Sequence, residues 1–489
     1  MSNHNSVKPS SHIFDLAQEQ IQKEIDLGNY IKVNYIPDIV SPFGAIPKDD
    51  GSVHIIHDCS LPEVGSSVNG YAKLEEKIKY QSIDDAVALL GQGYWMAKLD
   101  LKSAYRSVGI SINSQRVTGL HWQINKETVY FIDNKLPFGS KLAPFIFDKL
   151  SQAVRRIMAG KGFNNLVSYL DDFLCVSDSK EGCMTMLKEL VNLVRKLGFS
   201  INYNKVMGPC KVITFLGVEI DTNAMVLRLP QDKLEKCRHY LGQFNSRKRV
   251  TKRQTQRLIG FLSWASGVVT GGRVYLHNLH MLCKGLSNAS SRVVVPVAVR
   301  SDLDWWQSCL CMFNGKSAWL DRLPITSVFT DACGNGAGGV FQSDWFYCNW
   351  AIDWPMCKDL HINQKEILAI VLAAWRWAPF WYGKKILVNT DNMVAVAAIN
   401  KARSSSPLIS QSLRCLFWLS VYFNFSIKAV HIPGHKNDWA DGASRLDQFD
   451  RRTSFLSLFS MYDVGLPHMS EATSLYICRE HHTIPTGVG

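Results

Sequence analysis

Apolar residues at Ile13, Leu16, Ala17, Ile21 and Ile25 recur at three- and four-residue intervals, which place them on one side of an α-helix. The spacing predicts a helix over 13–27, stopped by Gly28-Asn29 and preceded by a polar, frayed stretch at 1–12. Residues 42–60, containing "AIPKDDGSVHIIHDC", predict a β-hairpin with Asp50-Gly51 as the turn signal. Helices follow over 82–91, 143–158 and 180–197, and strands in "YWMAKLD", which ends at Asp100, and in "VITFLGVEI" (212–220). Between the last two helices lies "SYLDDFLCVS" (168–177). There Ser168-Tyr169-Leu170 and Phe173-Leu174-Cys175-Val176 form the arms of a second hairpin, with Asp171 and Asp172 at its turn. This alternation implies an α+β domain ending near residue 222.

Beyond it the pattern changes. Residues 231–316 are helical in periodicity, with the basic cluster "SRKRVTKR" (246–253) between two helices. A second α/β segment begins near Ser327 with "SVFTDACGNGAGGV" and runs to about Asp447, and the last forty residues carry no clear pattern.

Composition narrows the function classes. A chain of 489 residues holds roughly three domains at ~150 residues each. Lys and Arg number 54 against 42 Asp and Glu, a net charge of +12 that favours a polyanionic partner. Nucleic acid comes before membrane, because no basic amphipathic anchor accompanies the charge. Of the thirteen cysteines only Cys309 and Cys311 lie close together, without the spacing of a structural zinc site. With no signal peptide and no apolar run near ~18 residues, they read as reduced core residues of an intracellular chain.

Two adjacent carboxylates at one turn repel unless a cation lies beside them, so Asp171-Asp172 points to a divalent metal. Asp100 taken alone reads as a strand-end or helix-capping aspartate. Four segments in order change that: "YWMAKLDLKSAYRSVGI", "LPFGSKLAP" (136–144), "SYLDDF", and "LGFSINYNKV" followed by "TFLGVEI". Together they resemble the fingers and palm of a reverse transcriptase over about residues 36–222, with "YLDD" matching that family's YxDD box.

The resemblance implies that Asp100 and Asp171 hold two Mg²⁺ ions, with Mn²⁺ as the alternative, and that Asp172 completes the acidic set. Hard Mg²⁺ takes oxygen ligands; one ion lowers the pKa of a primer 3′-hydroxyl and the other neutralises the triphosphate. It further implies a steric gate at Tyr105, whose alternative is a core tyrosine. Phe138 and Pro144 would support the incoming nucleotide and template, and Lys48 would approach the triphosphate. Lys205 matches a lysine that protonates pyrophosphate; the alternative is a solvated side chain. His54 stands where the family usually has an arginine, and an imidazole is only partly charged and forms no bidentate fork. Weakened nucleotide affinity, or a damaged copy, is the expectation.

A second acidic set comprises Asp331 in "VFTDACG", Glu366 in "INQKEILAIVLAAW", Asp391 in "ILVNTDNM" and Asp441 in "GHKNDWADGASR". Singly, Glu366 is a helix-surface acid and Asp441 a helix-start acid that suits the dipole. Together they resemble the DEDD site of an RNase H domain over about 326–447, which implies two more Mg²⁺ ions and cleavage of the RNA strand of a hybrid. His435 matches a histidine that assists product release, and Asp438 competes with Asp441 for the fourth position.

The implied architecture is an α+β right-hand polymerase (fingers, palm, thumb) followed by a helical connection and an α/β RNase H-like domain. Its boundaries are a helical lead-in at 1–35, fingers and palm at 36–222, thumb and connection at 223–325, the RNase H-like domain at 326–447 and a tail at 448–489. Implied partners are an RNA template, a DNA primer, the RNA–DNA hybrid and deoxynucleoside triphosphates, with no membrane. Arg247, Lys248, Arg249, Lys252, Arg253 and Arg257 either track the hybrid's phosphates or form a solvated helix face. "GSVHIIHDCSLPEVGSSVN" and "SIDDAVALL" look most like DIRS-type retroelements, with Gypsy type next. The alternative function is a catalytically impaired, retroelement-derived nucleic-acid-binding protein.

Overall fold

A computed structural model describes residues 2–48, 51–61, 66–73, 79–124, 127–269, 271–284, 286, 288–312, 316–317 and 325–460. Two compact units divide the chain, Met1–Leu234 with Gly315–Trp319, and Glu235–Asn314 with Leu320–Gly489.

In the first unit the expected helix is found at Phe14–Asp26, with Gly28 just beyond it at φ +67°, a conformation open to glycine at little cost. The segment before it is not frayed. His4 donates its backbone N–H to the Phe43 carbonyl, Asn3 and Ser6 side chains accept from Phe43 and Ala45, and Val7 is buried. Polar side chains there satisfy the edge of the hairpin Phe43–Pro47/Val53–His57, a use that periodicity alone does not reveal. Asp50 of the expected turn lies outside the described residues. A three-stranded antiparallel sheet, in the order Tyr30–Val33, Glu127–Asp133, Gly119–Ile124, adds to the core formed by that hairpin and the first helix.

The sheet that carries the chemistry has four antiparallel strands, in the order Leu166–Tyr169, Asp172–Ser177, Trp95–Asp100, Met207–Cys210. Side chains alternate across a strand, so Leu99, Phe173 and Cys175 enter one core while Asp100 and Asp172 share the other face. Helices Ala143–Gly160 and Lys180–Lys196 cover the core face with Phe147, Val154, Met158, Leu190 and Val194. Phe147 and Phe173 are each 1% exposed, and burial of a side chain of that size stabilises by ~1.5–3 kcal/mol. "VITFLGVEI" is not one strand but a hairpin, Val212–Phe215/Val218–Asp221. Leu216 and Gly217 both take positive φ, +48° and +79°, as a two-residue turn that matches strand twist requires.

The second unit joins helices to a five-stranded mixed sheet. Helices Gln231–Asn245, Lys252–Ala265, His277–Lys284 and Val297–Met312 realise the helical expectation, but Arg249–Thr251 within the basic cluster is a strand paired with Arg292–Val294. Lys252 donates to the Leu286 carbonyl, so this ammonium serves the fold, whereas Arg247, Lys248, Arg249, Arg253 and Arg257 are exposed. The sheet order is Asp344–Asn349, Gly336–Phe341, Ile325–Ala332, Lys385–Thr390, Ser426–His431; the first three strands are antiparallel and the last two run parallel to Ile325–Ala332. Buried Asp302 on Val297–Met312 pairs with Arg414 of helix Pro407–Tyr422 at 2.6 Å, tying the helical stretch to the sheet's covering layer. The expected patternless tail opens as a helix, Phe449–Ser460, whose Phe455 packs on Trp345 at 5.2 Å between ring centroids. Residues 461–489 lie outside the described residues.

Among the described residues no helix is long and apolar enough to cross a membrane, and twelve cysteines are free thiols, most of them buried.

Candidate active sites

The hairpin of "YLDD" turns on two residues, Leu170 and Asp171. Asp172 therefore does not sit in the turn, as the sequence pattern suggests, but opens the second strand, paired in register with both Tyr169 and Asp100. Leu170 adopts φ +52°, a left-handed conformation that costs a non-glycine residue ~1–3 kcal/mol. Its carbonyl is held by the buried Ser151 hydroxyl at 2.5 Å, and the Asp171 carbonyl accepts from Leu101 N–H at 3.1 Å. The turn is thus pinned from the helix below and the strand beside it. Ser151→Ala is expected to destabilise the first unit by about 1 kcal/mol, read as a lower denaturant midpoint at constant slope. An unchanged midpoint would mean the bond does not support the turn.

Asp100 ends its strand with Asn202 donating to its carboxylate at 3.1 Å and Lys205 at 3.4 Å. Lys205 is well exposed, so it screens Asp100 without neutralising the set. Burial raises the Asp171 carboxyl, and Asp100 raises it further. Burial, then Asp171, then Asp100 push Asp172 up to about 7. Asp100 and Asp172 share a face of the sheet and each feels the Asp171 charge, a charge pattern that suits a hard divalent cation. The three do not bring their oxygens as close together as the acidic set of the second unit does.

Tyr105 lies in the short 3₁₀ turn Ala104–Ser107, its ring 4.9 Å from Phe138 and 5.6 Å from Phe147. Burial, then the Asp171 charge, raise its phenol to about 12, which keeps it neutral. Phe138 also meets the His54 ring at 5.1 Å, so His54, Phe138 and Tyr105 form one aromatic row. Gly139 after Phe138 has φ +116°, and a Cβ there would stand 1.8 Å from the His57 carbonyl. Only glycine fits. Asn69 locks the same loop, donating to the Gly139 carbonyl and accepting from Lys141 N–H. Pro144 begins helix Ala143–Gly160, and Lys48 closes the hairpin by donating its backbone N–H to the Ser52 carbonyl.

In the second unit Asp331 near the end of Ile325–Ala332, Glu366 on helix Ile362–Trp377 and Asp391 after Lys385–Thr390 bring one oxygen each within 4.8 Å of one another. Among the described residues this set alone is so close. Glu366 is not the surface acid its helix position suggests: it is 3% exposed, and burial, then Asp331 and Asp391, raise it to about 9. Burial lifts Asp331 to about 6 against a 2.6 Å hydrogen bond from Ser444. Asp441 lies in the first turn of helix Asp438–Ser444 and takes Arg445 at 2.7 Å and Arg451 at 3.6 Å, outside the set of three. Its charge still raises Asp331. That helix sits hard on strand Gly336–Phe341, where a Cβ on Gly338 would come 2.4 Å from Ala443 and one on Gly336 2.6 Å from the Ser444 carbonyl, while one on Gly339 would meet the Phe346 ring. His435 is exposed in the turn Gly434–Lys436; this turn passes Asp391 so closely that a Cβ on Gly434 would stand 3.3 Å from its Oδ2. Asp438 heads the same helix as Asp441 and is also outside the set.

Ser151, Asn202, Ser444 and the buried Lys365, which donates to the Gly334 and Lys358 carbonyls, are supports that the sequence did not single out. None sits in a motif; only pairing across the fold exposes them.

Residues 53–220 match the family model described as reverse transcriptase (RNA-dependent DNA polymerase). The chain is 24% identical over 385 residues to the enzymatic polyprotein of cauliflower mosaic virus (strain D/H), covering 76% of this chain and 53% of that one. It is 26% identical over 382 residues to that of carnation etched ring virus, covering 73% and 52%. It is 25% identical over 388 residues to the genome polyprotein of petunia vein clearing virus (isolate Shepherd), covering 74% and 16%. The chain thus spans about half the length of the cauliflower mosaic and carnation etched ring virus relatives. Among solved structures, the foamy viral protease-reverse transcriptase in complex with RNA/DNA hybrid matches at TM-score 0.56 and 16% identity, over 88% of this chain and 55% of that one. Its dRH form with ds DNA matches at TM-score 0.55 and 17% identity, over 88% and 70%. The fold is that of a right-hand polymerase followed by an RNase H-like domain.

Proposed function

We propose that the chain is an RNA-directed DNA polymerase, with fingers and palm in the first unit, joined to a ribonuclease H in the second, which together copy a retroelement RNA and remove it from the hybrid. The observation that carries the first half is the register pair Asp100–Asp172 with Asp171 at the adjoining turn, inside the segment that matches the reverse transcriptase model. The three-carboxylate set Asp331, Glu366, Asp391 carries the second.

Asp100 and Asp171, with Asp172 beside them, would hold two Mg²⁺ or Mn²⁺ ions; Asp331, Glu366, Asp391 and, after release from Arg445, Asp441 would hold two more. Bound there, the ions supply Lewis acidity and charge neutralisation for in-line displacement at phosphorus. The chain's own residues do the rest. The Leu170–Asp171 turn fixes the carboxylates, Lys205 stands at hand for a proton to pyrophosphate, and the Tyr105 ring closes the sugar end of the nucleotide site. Lys48 and His54 face the triphosphate, His54 with a weaker grip than an arginine fork. His435, on a loop beside Asp391, would help the cut product leave. Template, primer, hybrid and deoxynucleoside triphosphates are the partners, with the exposed Arg247, Lys248, Arg249, Arg253 and Arg257 available to phosphates. The proposed divisions are 36–222 for fingers and palm, 223–325 for thumb and connection, and 326–447 for the ribonuclease. "HIIHDCSLPEVGSSVN" supports a DIRS-type source before a Gypsy-type one.

Extension of a DNA primer on an RNA template, with Mg²⁺ and labelled hybrid, tests both halves in one preparation. Synthesis together with RNA-strand cleavage is the expected result. Tight hybrid binding with neither activity would instead favour a nucleic-acid-binding relic. Tyr105→Ala is expected to raise ribonucleotide insertion relative to deoxyribonucleotide several-fold in competitive single-nucleotide assays. A folded variant with an unaltered ratio would make Tyr105 a packing residue only.

A further inference from the structure

A short 3₁₀ turn has poor hydrogen-bond geometry and little stability of its own, yet Tyr105 sits on one, entered through Ser103 at φ +51°. Something must hold it. The next residue, Arg106, turns the other way into a polar cluster in the first unit's interior. Its Nη1 donates to Asp133 Oδ2 at 2.7 Å, and its Nε and Nη2 donate to Glu24 Oε2 at 3.0 and 2.8 Å. The guanidinium also lies 5.3 Å from the centroid of the Tyr30 ring. The two carboxylates come from far apart: Glu24 from the helix Phe14–Asp26, Asp133 from the end of strand Glu127–Asp133. Each is itself fixed, Glu24 by Gln20 and Asn29 and Asp133 Oδ1 by Lys135 N–H.

The cluster reaches the aromatic row by a second route. His57 bonds the Tyr30 hydroxyl at 2.9 Å through Nε2, which also lies 3.6 Å from Asp133. Its backbone N–H donates to the Phe138 carbonyl, and Phe138 is the ring against which Tyr105 rests. Burial, then the Arg106 charge, push the imidazole down to about 3, so His57 is a neutral link. Arg106 is thus linked to Tyr105 along the chain, and also through Asp133, His57 and Phe138. No other cation contacts the two carboxylates among the bonds above.

We propose that Arg106 is a positioning residue for sugar selection: clamped between Glu24 and Asp133, it sets the height of the Tyr105 ring in the nucleotide site. The helix Phe14–Asp26, upstream of the reverse transcriptase match, thereby takes part in choosing deoxyribonucleotides. This rests on the reading of Tyr105 as the gate.

The test is single-nucleotide insertion with deoxyribo- and ribonucleotides on wild type, Glu24→Gln, Arg106→Met, Tyr105→Ala and the double variant Glu24→Gln/Tyr105→Ala, with KM and kcat for each sugar and a melting curve for each protein. Glu24→Gln keeps the shape and loosens one end of the clamp. Its deoxyribonucleotide preference is expected to fall several-fold, chiefly through better ribonucleotide insertion, and Arg106→Met further. In the double variant Glu24→Gln adds nothing to Tyr105→Ala, because both act on one ring. A purely structural role lowers the melting temperature and slows both sugars equally; an unchanged ratio in folded Glu24→Gln and Arg106→Met overturns the proposal. If Arg106→Met does not melt cooperatively, Glu24→Gln decides, since it leaves the bond to Asp133 in place. If Tyr105→Ala itself leaves the ratio unchanged, the gate reading fails first and this inference with it, an outcome distinct from failure of the clamp alone.

Discussion

Asp171→Asn is expected to abolish DNA synthesis while hybrid cleavage continues at the wild-type rate. The carboxamide keeps the shape of the side chain, so the two-residue turn, pinned by Ser151 and by Leu101 N–H through backbone carbonyls, survives the change. What goes is the charge. The carboxyl is already raised by burial and by Asp100, which places it among groups whose ionised form needs a cation beside it. Loss of a ligand in a two-metal site removes several kcal/mol of transition-state stabilisation, and about 4 kcal/mol corresponds to roughly a thousandfold in rate. Primer extension and hybrid cleavage should be measured on one preparation. Equal loss of both would mean that one site, not two, serves both activities, or that the variant does not fold.

Glu366→Gln is expected to give the opposite pattern, loss of cleavage with synthesis intact, and to stabilise the metal-free second unit. The sign follows from linkage. A folded-state value of about 9 against an ordinary 4.5 means that the folded unit holds a proton which the unfolded chain gives up. The group's favourable contribution is complete below pH 4.5 and is lost as pH rises towards 9. Asp331, raised to about 6 by burial, adds to the same trend at its lower end. In chelator, the wild-type melting temperature should therefore fall across this window, and Mg²⁺ should restore it most at the alkaline end. The glutamine variant does not titrate, so it should melt higher than wild type near neutral pH without metal and gain less from Mg²⁺. Melting curves with and without Mg²⁺ at several pH values decide the matter. Identical pH trends in both proteins would show that Glu366 is not the strained, proton-holding member of the set.

Much of the chemistry was legible because it is carried by short motifs with local geometry. Short apolar runs beside Asp100 and Asp171-Asp172 marked strands, and the helices expected at 143–158 and 180–197 from amphipathic spacing are found at Ala143–Gly160 and Lys180–Lys196. The errors were local too. Asp172 moved out of the turn because the pairing Tyr169–Asp172 closes on two residues, and "VITFLGVEI" folded back on itself because Leu216 joins Gly217 at positive φ. A leucine gives no warning of that conformation.

By itself the sequence marked several elements in their order, the residues of two candidate acidic sets and the basic balance of the chain, since periodicity, turn chemistry and charge are properties of neighbours along a chain. Only the tertiary structure decided which carboxylates meet. Glu366 looks like a surface acid on its helix, and becomes a buried one because that helix covers the sheet whose ends carry Asp331 and Asp391. Asp441 has the right motif, yet the arginines one turn on and in the next helix take its carboxylate. The Arg106 clamp joins a helix, a turn and a strand distant in sequence. A charge buried away from water needs an opposite charge or hydrogen-bond partners; where these come from is settled by long-range packing.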